Sequence, residues 1–205
     1  MKKTISQSSA LSVSLILVLS LALFSSCSVL EQTSQMKNFG RCDFRIESTK
    51  NMKLAGVNIQ DKRGISDLSI TEIAKIGGAI AGNSLPLVFD LSIEAKNPNT
   101  VLAAMNKLDW ILLIDNAEMT RGVLEKRIEI PANTTTTFPV GINIDLMKAL
   151  GGKSRDALIN FALNLAGMSN EPTKIKLKAK PTIYFGTTPV EYPGYITIKH
   201  EFGAE

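Results

Sequence analysis

The stretch Leu87-Val-Phe-Asp-Leu-Ser-Ile-Glu-Ala-Lys-Asn-Pro-Asn99 (LVFDLSIEAKNPN) decides how the rest of the chain is read. Leu87, Phe89, Leu91, Ile93 and Ala95 alternate with Val88, Asp90, Ser92, Glu94 and Lys96, which is the period of a strand with one face buried and one face wet. Asn97-Pro98-Asn99 then closes it, because proline cannot donate to a ladder and asparagine tolerates left-handed backbone. Working outward, Leu108 to Ile114 repeats the pattern with Leu108, Trp110, Leu112 and Ile114 on one side. Asp115-Asn116-Ala117-Glu118 reads as a hairpin loop leading into Met119 to Ile130, and Pro131-Ala132-Asn133 turns the chain into Phe138, Val140, Ile142 and Ile144. Near the end, Ile175, Leu177 and Ala179 alternate with four lysines, and a last strand covers Tyr195 to Phe202. Short strands with regular turns predict a mainly β, antiparallel sandwich or barrel.

Two helical insertions interrupt the strands. Ser69 and Glu72 have capping-box spacing, and Ile70, Ile73, Ala74, Gly77, Ile80 and Ala81 fall at helical intervals before Gly82-Asn83. That stripe predicts a helix lying on an apolar surface through those residues. A second helix is predicted over Leu146 to Ala166, broken at Gly151-Gly152, with Leu158, Ile159, Ala162, Leu165 and Ala166 on one side.

The amino terminus reads as an address. Lys2 and Lys3 precede the 14-residue apolar run Leu11 to Phe24, then Ser25, Ser26 and Cys27. The run is too short to span a bilayer, which takes about 20 apolar residues. The arrangement resembles a bacterial lipoprotein signal, with Phe24 where Leu is commonest. That resemblance implies a signal peptide over 1–26, Cys27 as the lipidated first residue bearing acyl chains such as palmitate, and membrane anchorage in the cell envelope on the outer-membrane, periplasmic or surface side. Two or three acyl chains hold a protein firmly where one holds it only marginally. Residues 27–40 are polar without sustained period and read as a lipidated tether, and 41–205 as one domain. Removing Lys2 and Lys3 with the leader lowers the formal net charge from +4 to +2. Such near-balance is that of a folded module and excludes the dense basic face of a nucleic-acid binder. With Cys27 lipidated, Cys42 has no partner and is expected as a buried small hydrophobe at the opening of the first strand.

The residues from Phe89 to Asp145 resemble a known family. Asn97-Pro98-Asn99, the apolar strand around Trp110, Gly122, Ile128-Glu129-Ile130-Pro131-Ala132 and Phe138-Pro139-Val140 look like the late embryogenesis abundant type 2 (water stress and hypersensitive response) domain, with a similar ending that brings the core to 85–202. The resemblance implies a seven-stranded immunoglobulin- or fibronectin-like β-sandwich, no cofactor, no catalytic residues, and association with dehydration stress or membranes. The strands over Cys42 to Ile59 and the helix over Ile70 to Ala81 depart from that pattern.

Catalytic chemistry finds little footing. Gly151-Gly152-Lys153-Ser154 imitates the end of a phosphate-binding loop, but Met147 stands where that loop needs another glycine. His200 is the only histidine, so a multi-histidine metal site is impossible, and no Gly-x-Ser-x-Gly elbow exists for a triad. Asp90, Asp109, Asp115 and Glu118 fall on polar faces or in turns, where solvation accounts for them. The expected function is therefore an envelope binding or stabilising module rather than an enzyme, with no metal and no cofactor. Lys174, Lys176, Lys178 and Lys180 are the candidate contact residues. Lined up on one side of one strand, they either meet anionic head groups or envelope polysaccharide, or protect an exposed strand edge from aggregation. The alternatives are a carrier, with Ile70, Ile73, Ile80 and the small residues around them roofing an apolar opening for a lipid ligand, and a structural partner of an envelope protein.

Overall fold

The computed structural model describes residues 31–62, 64–114, 116–150, 161–162 and 173–202. Cys27, the leader, Asp115, the Gly151-Gly152-Lys153-Ser154 run and most of the second predicted helix lie outside the described residues.

The quoted stretch forms β3 (Pro86–Lys96). Its five inward residues are all buried, and it is flanked on both sides, by β1 (Asp43–Leu54) and β8 (Thr135–Asp145). The registers Ile46↔Ile93, Phe89↔Ile142, Leu91↔Val140 and Ile93↔Phe138 place apolar side chains opposite one another on one face. Ser92 points to the other face, yet it too is buried, donating its hydroxyl proton to Glu47 at 3.1 Å. A tight turn at Ala55-Gly56, with φ of 50° and 76°, adds β2 (Val57–Asn58). Two successive positive φ values are what a two-residue hairpin of matching twist requires. The sheet order is β2-β1-β3-β8.

The second sheet is built around β5 (Lys107–Ile114) and β9 (Thr173–Phe185). Its order is β10-β9-β5-β6, with β11 (Ile196–Phe202) also paired to β9; β6 spans Ala117–Leu124 and β10 spans Thr188–Glu191. Leu108, Trp110, Leu112 and Ile114 from β5 and Ile175, Leu177 and Ala179 from β9 join the inward residues of β3 and β8 in one core. All described pairings are antiparallel, the chain is mainly β, and neither sheet closes into a barrel.

The structure corrects or refines several details. The segment from Met119 to Ile130 divides: β6 ends at Leu124, and β7 (Ile128–Ile130) leaves to pair with β4 (Ala103–Met105) as a separate two-stranded ribbon. The charged run Glu125-Lys126-Arg127 marks the break, its side chains all exposed. The polar stretch taken as tether is helical over 31–39 (α1) and rests on the body through buried Met36 and Phe39. Phe39 packs on Phe44 with ring centroids 5.1 Å apart. Its polar residues hid the helix because they too are used: Asn38 is buried and lies between α1 and the loop after β3, and Gln35 accepts from Arg127 at 3.0 Å.

The helix α2 (Ile70–Ala81) has the expected reciprocal Ser69–Glu72 cap, but its buried side shares only part of the expected stripe. Ile76 is 1% exposed, with Ala79 and Ile80 packed on the core, whereas Ile70 is 88% exposed and Ile73, Ala74 and Ala81 face outward. Of the second predicted helix, Leu146–Ala149 (α3) and residues 161–162 are described.

Candidate functional site

The lysine row lies on β9. Because Ile175, Leu177 and Ala179 point into the core, the intervening Lys174, Lys176, Lys178 and Lys180 must point outward. The structure brings all four onto one face, as the alternation predicts. It overturns the edge-protection reading, since β9 pairs with β5 over Ile175–Thr182 on one side and with β11 over Thr173–Ala179 on the other. Alternation along one strand cannot reveal what lies beside it. The lysines therefore crown the middle of a sheet, not its rim.

The four positions differ in their surroundings. Lys180 forms an ion pair with Glu191; the hydrogen bond they share raises the lysine's pKa and lowers the glutamate's. Lys176 donates to the side-chain oxygen of Asn116, a neutral acceptor. In register, Lys178 lies between Ile111 and Thr197, and Lys176 between Leu113 and Lys199. Lys199 thus belongs to the same face. The alternation Ile196-Thr-Ile-Lys-His200 signals its direction, but only the β9–β11 register places it beside the row.

Elsewhere on this face the charges are matched pairwise. Lys107 meets Asp109 at 3.1 Å, and Arg121 meets Glu118 at 2.6 Å. Asp90, on the other sheet, accepts from Asn51 at 2.8 Å. The described carboxylates considered for catalysis are thus held apart with separate partners, and among the described residues no group of His, Cys, Asp or Glu is arranged to hold a metal. His200 is half-buried, and that burial lowers its pKa. Cys42 is buried and donates its S–H to the Asn38 carbonyl at 3.4 Å; burial first, then the Asp43 charge, raises its pKa to about 11.

Two open clefts indent this sheet. One, of about 240 Å³, is lined by Lys174, Ile175, Lys176, Lys199 and His200. The other, of about 230 Å³, lies among Asp109, Ile111, Arg121, Val123 and Tyr195. Between the sheets, Phe39, Phe44, Ile93, Leu108, Phe138 and Leu177 are among the residues around a void of only about 10 Å³. That is the room of about one water molecule. No helix among the described residues is long and apolar enough to cross a membrane.

No known protein family matches the sequence, and no curated protein matches it. Solved structures with related geometry include a protein from Archaeoglobus fulgidus, 14% identical with a TM-score of 0.31, over 60% of this chain and 86% of that one. A solution structure from Arabidopsis thaliana is also 14% identical, with a TM-score of 0.38 over 58% and 70% of the two chains. A structural-genomics X-ray structure is 12% identical, with a TM-score of 0.28 over 76% and 86%. Likeness at this level transfers no function.

Proposed function

We propose that the chain is a lipid-anchored module of the cell envelope that binds or stabilises its surroundings without turnover, held to the membrane through acyl chains on Cys27. The single observation that carries the binding part is the place of the lysine row: outward, on a strand paired on both sides, where no edge needs protecting. A row of like charges at two-residue spacing on the middle of a sheet is unfavourable unless it meets water or anions, and each lysine near an anionic surface adds about 1 kcal/mol. The anchor supplies such a surface. The late embryogenesis abundant type 2 resemblance supports the finer architecture, an immunoglobulin- or fibronectin-like sandwich of the two sheets, and a stress-related role. The carrier reading has less behind it, because two of the isoleucines meant to roof the opening face outward, Ile70 at 88% exposure and Ile73 beside it.

Two measurements test the proposal. Labelled palmitate should enter the polypeptide and fail to enter the Cys27→Ala form, which should also lose firm membrane attachment. Replacing Lys174, Lys176, Lys178 and Lys180 together by Gln in the Cys27→Ala chain should weaken its binding to anionic liposomes at low salt; unchanged binding would remove the anionic-surface role.

A further inference from the structure

Lys176 and Lys199 stand directly opposite each other across the β9–β11 pair, both on the outward face. Side chains so placed start about 5 Å apart, and like charges there repel. Around them, charge is offset: Lys180 has Glu191, Lys107 has Asp109 and Arg121 has Glu118. The Asn116 oxygen fixes the Lys176 amino group but brings no negative charge. Lys174 extends the same wall one step further, with Glu201 opposite it in register. The cleft of about 240 Å³ opens among these lysines, and no carboxylate is found among the described residues that line it.

The geometry points to this cleft as a binding site for a phosphate-bearing anion, centred on Lys176 and Lys199. This rests on the anionic-surface reading above and narrows it: contact is made at one end of the row, with Lys199 added and Lys180 left out. The volume accommodates a phosphate group with some of its water. Two ammonium groups that repel each other both attract a shared anion, through charge-assisted hydrogen bonds that are stronger than neutral ones. Lysine, a compact point charge with rotatable donors, suits a phosphate approaching from an open side.

The test uses the full chain reconstituted in vesicles of phosphatidylcholine, alone or mixed with phosphatidylglycerol, and reads the rate of acetylation at each lysine by mass spectrometry. On the anionic vesicles Lys176 and Lys199 should react about fivefold more slowly, and Lys180 at an unchanged rate. Lys199→Gln should abolish most of the protection at Lys176. A third arm adds inorganic phosphate to the neutral vesicles: protection there assigns free phosphate as a ligand of the same cleft, while protection confined to phosphatidylglycerol assigns the head group. Equal rates at Lys176 and Lys199 in every arm would overturn the site. Equal protection of Lys180 would overturn its selectivity and leave the broader face reading standing. If the chain washes off the vesicles, the anchor has failed, and the phosphate arm, run in solution, still reads the cleft.

Discussion

The indole of Trp110 occupies the space that a side chain at Gly122 would need. The two residues are directly paired across β5 and β6, and a Cβ added at Gly122 would sit 2.3 Å from Trp110 Cζ2. The ring is buried and part of the common core, so it has little room to retreat. Gly122→Ala should therefore destabilise the domain by about 1–3 kcal/mol through overpacking. Thermal unfolding followed by tryptophan fluorescence should show the midpoint lowered by about 2–4 °C for each kcal/mol lost. A variant as stable as the parent, with unaltered emission, would mean that the indole does not lie over the glycine.

Asn97 makes a comparable knot in polar chemistry. Its side chain is fully buried, with the amide nitrogen 2.9, 2.8 and 3.1 Å from the carbonyls of Val101, Ile130 and Pro131. Its oxygen accepts from the backbone and side-chain nitrogens of Asn99 at 3.0 and 2.7 Å, and Asn99 reaches on to the Asn38 carbonyl of α1 at 3.2 Å. The Asn-Pro-Asn motif thus ties the end of β3 to β7 and to α1. Asn97→Ala should cost about 2–4 kcal/mol, since carbonyls lose their donor without gaining water. Asn97→Asp keeps the shape but turns a second oxygen toward those carbonyls, so denaturant titration should find it at least as unstable as the alanine variant at neutral pH.

Thiol titration probes both cysteines together. A Cys42 thiol with its pKa raised to about 11 is almost wholly protonated at neutral pH, and it is shielded as well. The native chain should therefore react with a disulfide reagent far more slowly than an exposed cysteine does. In denaturant, chain purified from its native membrane should yield one thiol if Cys27 carries lipid and two if it does not. A fast native reaction at Cys42 would contradict the burial.

Asp145 should give the domain a distinct acid response. It ends β8, caps α3 through the Met147 N–H at 3.1 Å, and accepts from the Leu85 N–H at 3.1 Å and the Ser84 hydroxyl at 2.9 Å. Burial pushes its pKa up, but these three bonds and nearby Lys148 outweigh that effect and hold it below the ordinary value of 3.8. A folded-state pKa below the unfolded one means that the stabilisation is complete above the unfolded value and is lost as pH falls through the folded value. Asp145→Ala should cost about 1–2 kcal/mol at neutral pH. The difference from the parent chain should hold steady down to about pH 5 and shrink below about pH 4. A gap that stays constant into strong acid would show that the carboxylate charge is not what binds these donors.

What could be read from the chain beforehand follows a physical division. Alternation is a property of one strand, so β3, β5, β8 and the lysine-bearing part of β9 were legible, as was the Ser69–Glu72 cap, which is also local. Pairing is a property of two strands, and beyond the β5–β6 hairpin it leaves no local mark. Nothing local says that β7 turns aside to meet β4, that β9 is covered on both sides, or that Lys199 lands beside Lys176. The cleft at that pair was invisible for the same reason. In α1, the apolar signal is too sparse to show a period, because polar Gln35 and Asn38 share the contact with Met36 and Phe39.

The face that α2 buries is the sharpest such case, because isoleucines line more than one of its sides. At about 100° per residue, Ile70 and Ile76 lie about 120° apart around the axis, so the helix cannot bury both against one flat surface. Ile76 with Ala79 and Ile80 takes the core, and Ile70 is left 88% exposed at the first turn. The cap fixes where the helix begins, and the contacts of Ile76 fix how it is rotated. Ile76→Ala should then cost about 2–5 kcal/mol, the usual range for a truncated buried aliphatic. Ile70→Gln should change stability by no more than about 0.5 kcal/mol, since it alters neither the core nor the cap. Urea unfolding of the two variants decides between the rotations: comparable losses at both positions, or a larger one at Ile70, would mean that the helix lies on the side that the spacing of Ile70, Ile73 and Ala74 first suggests.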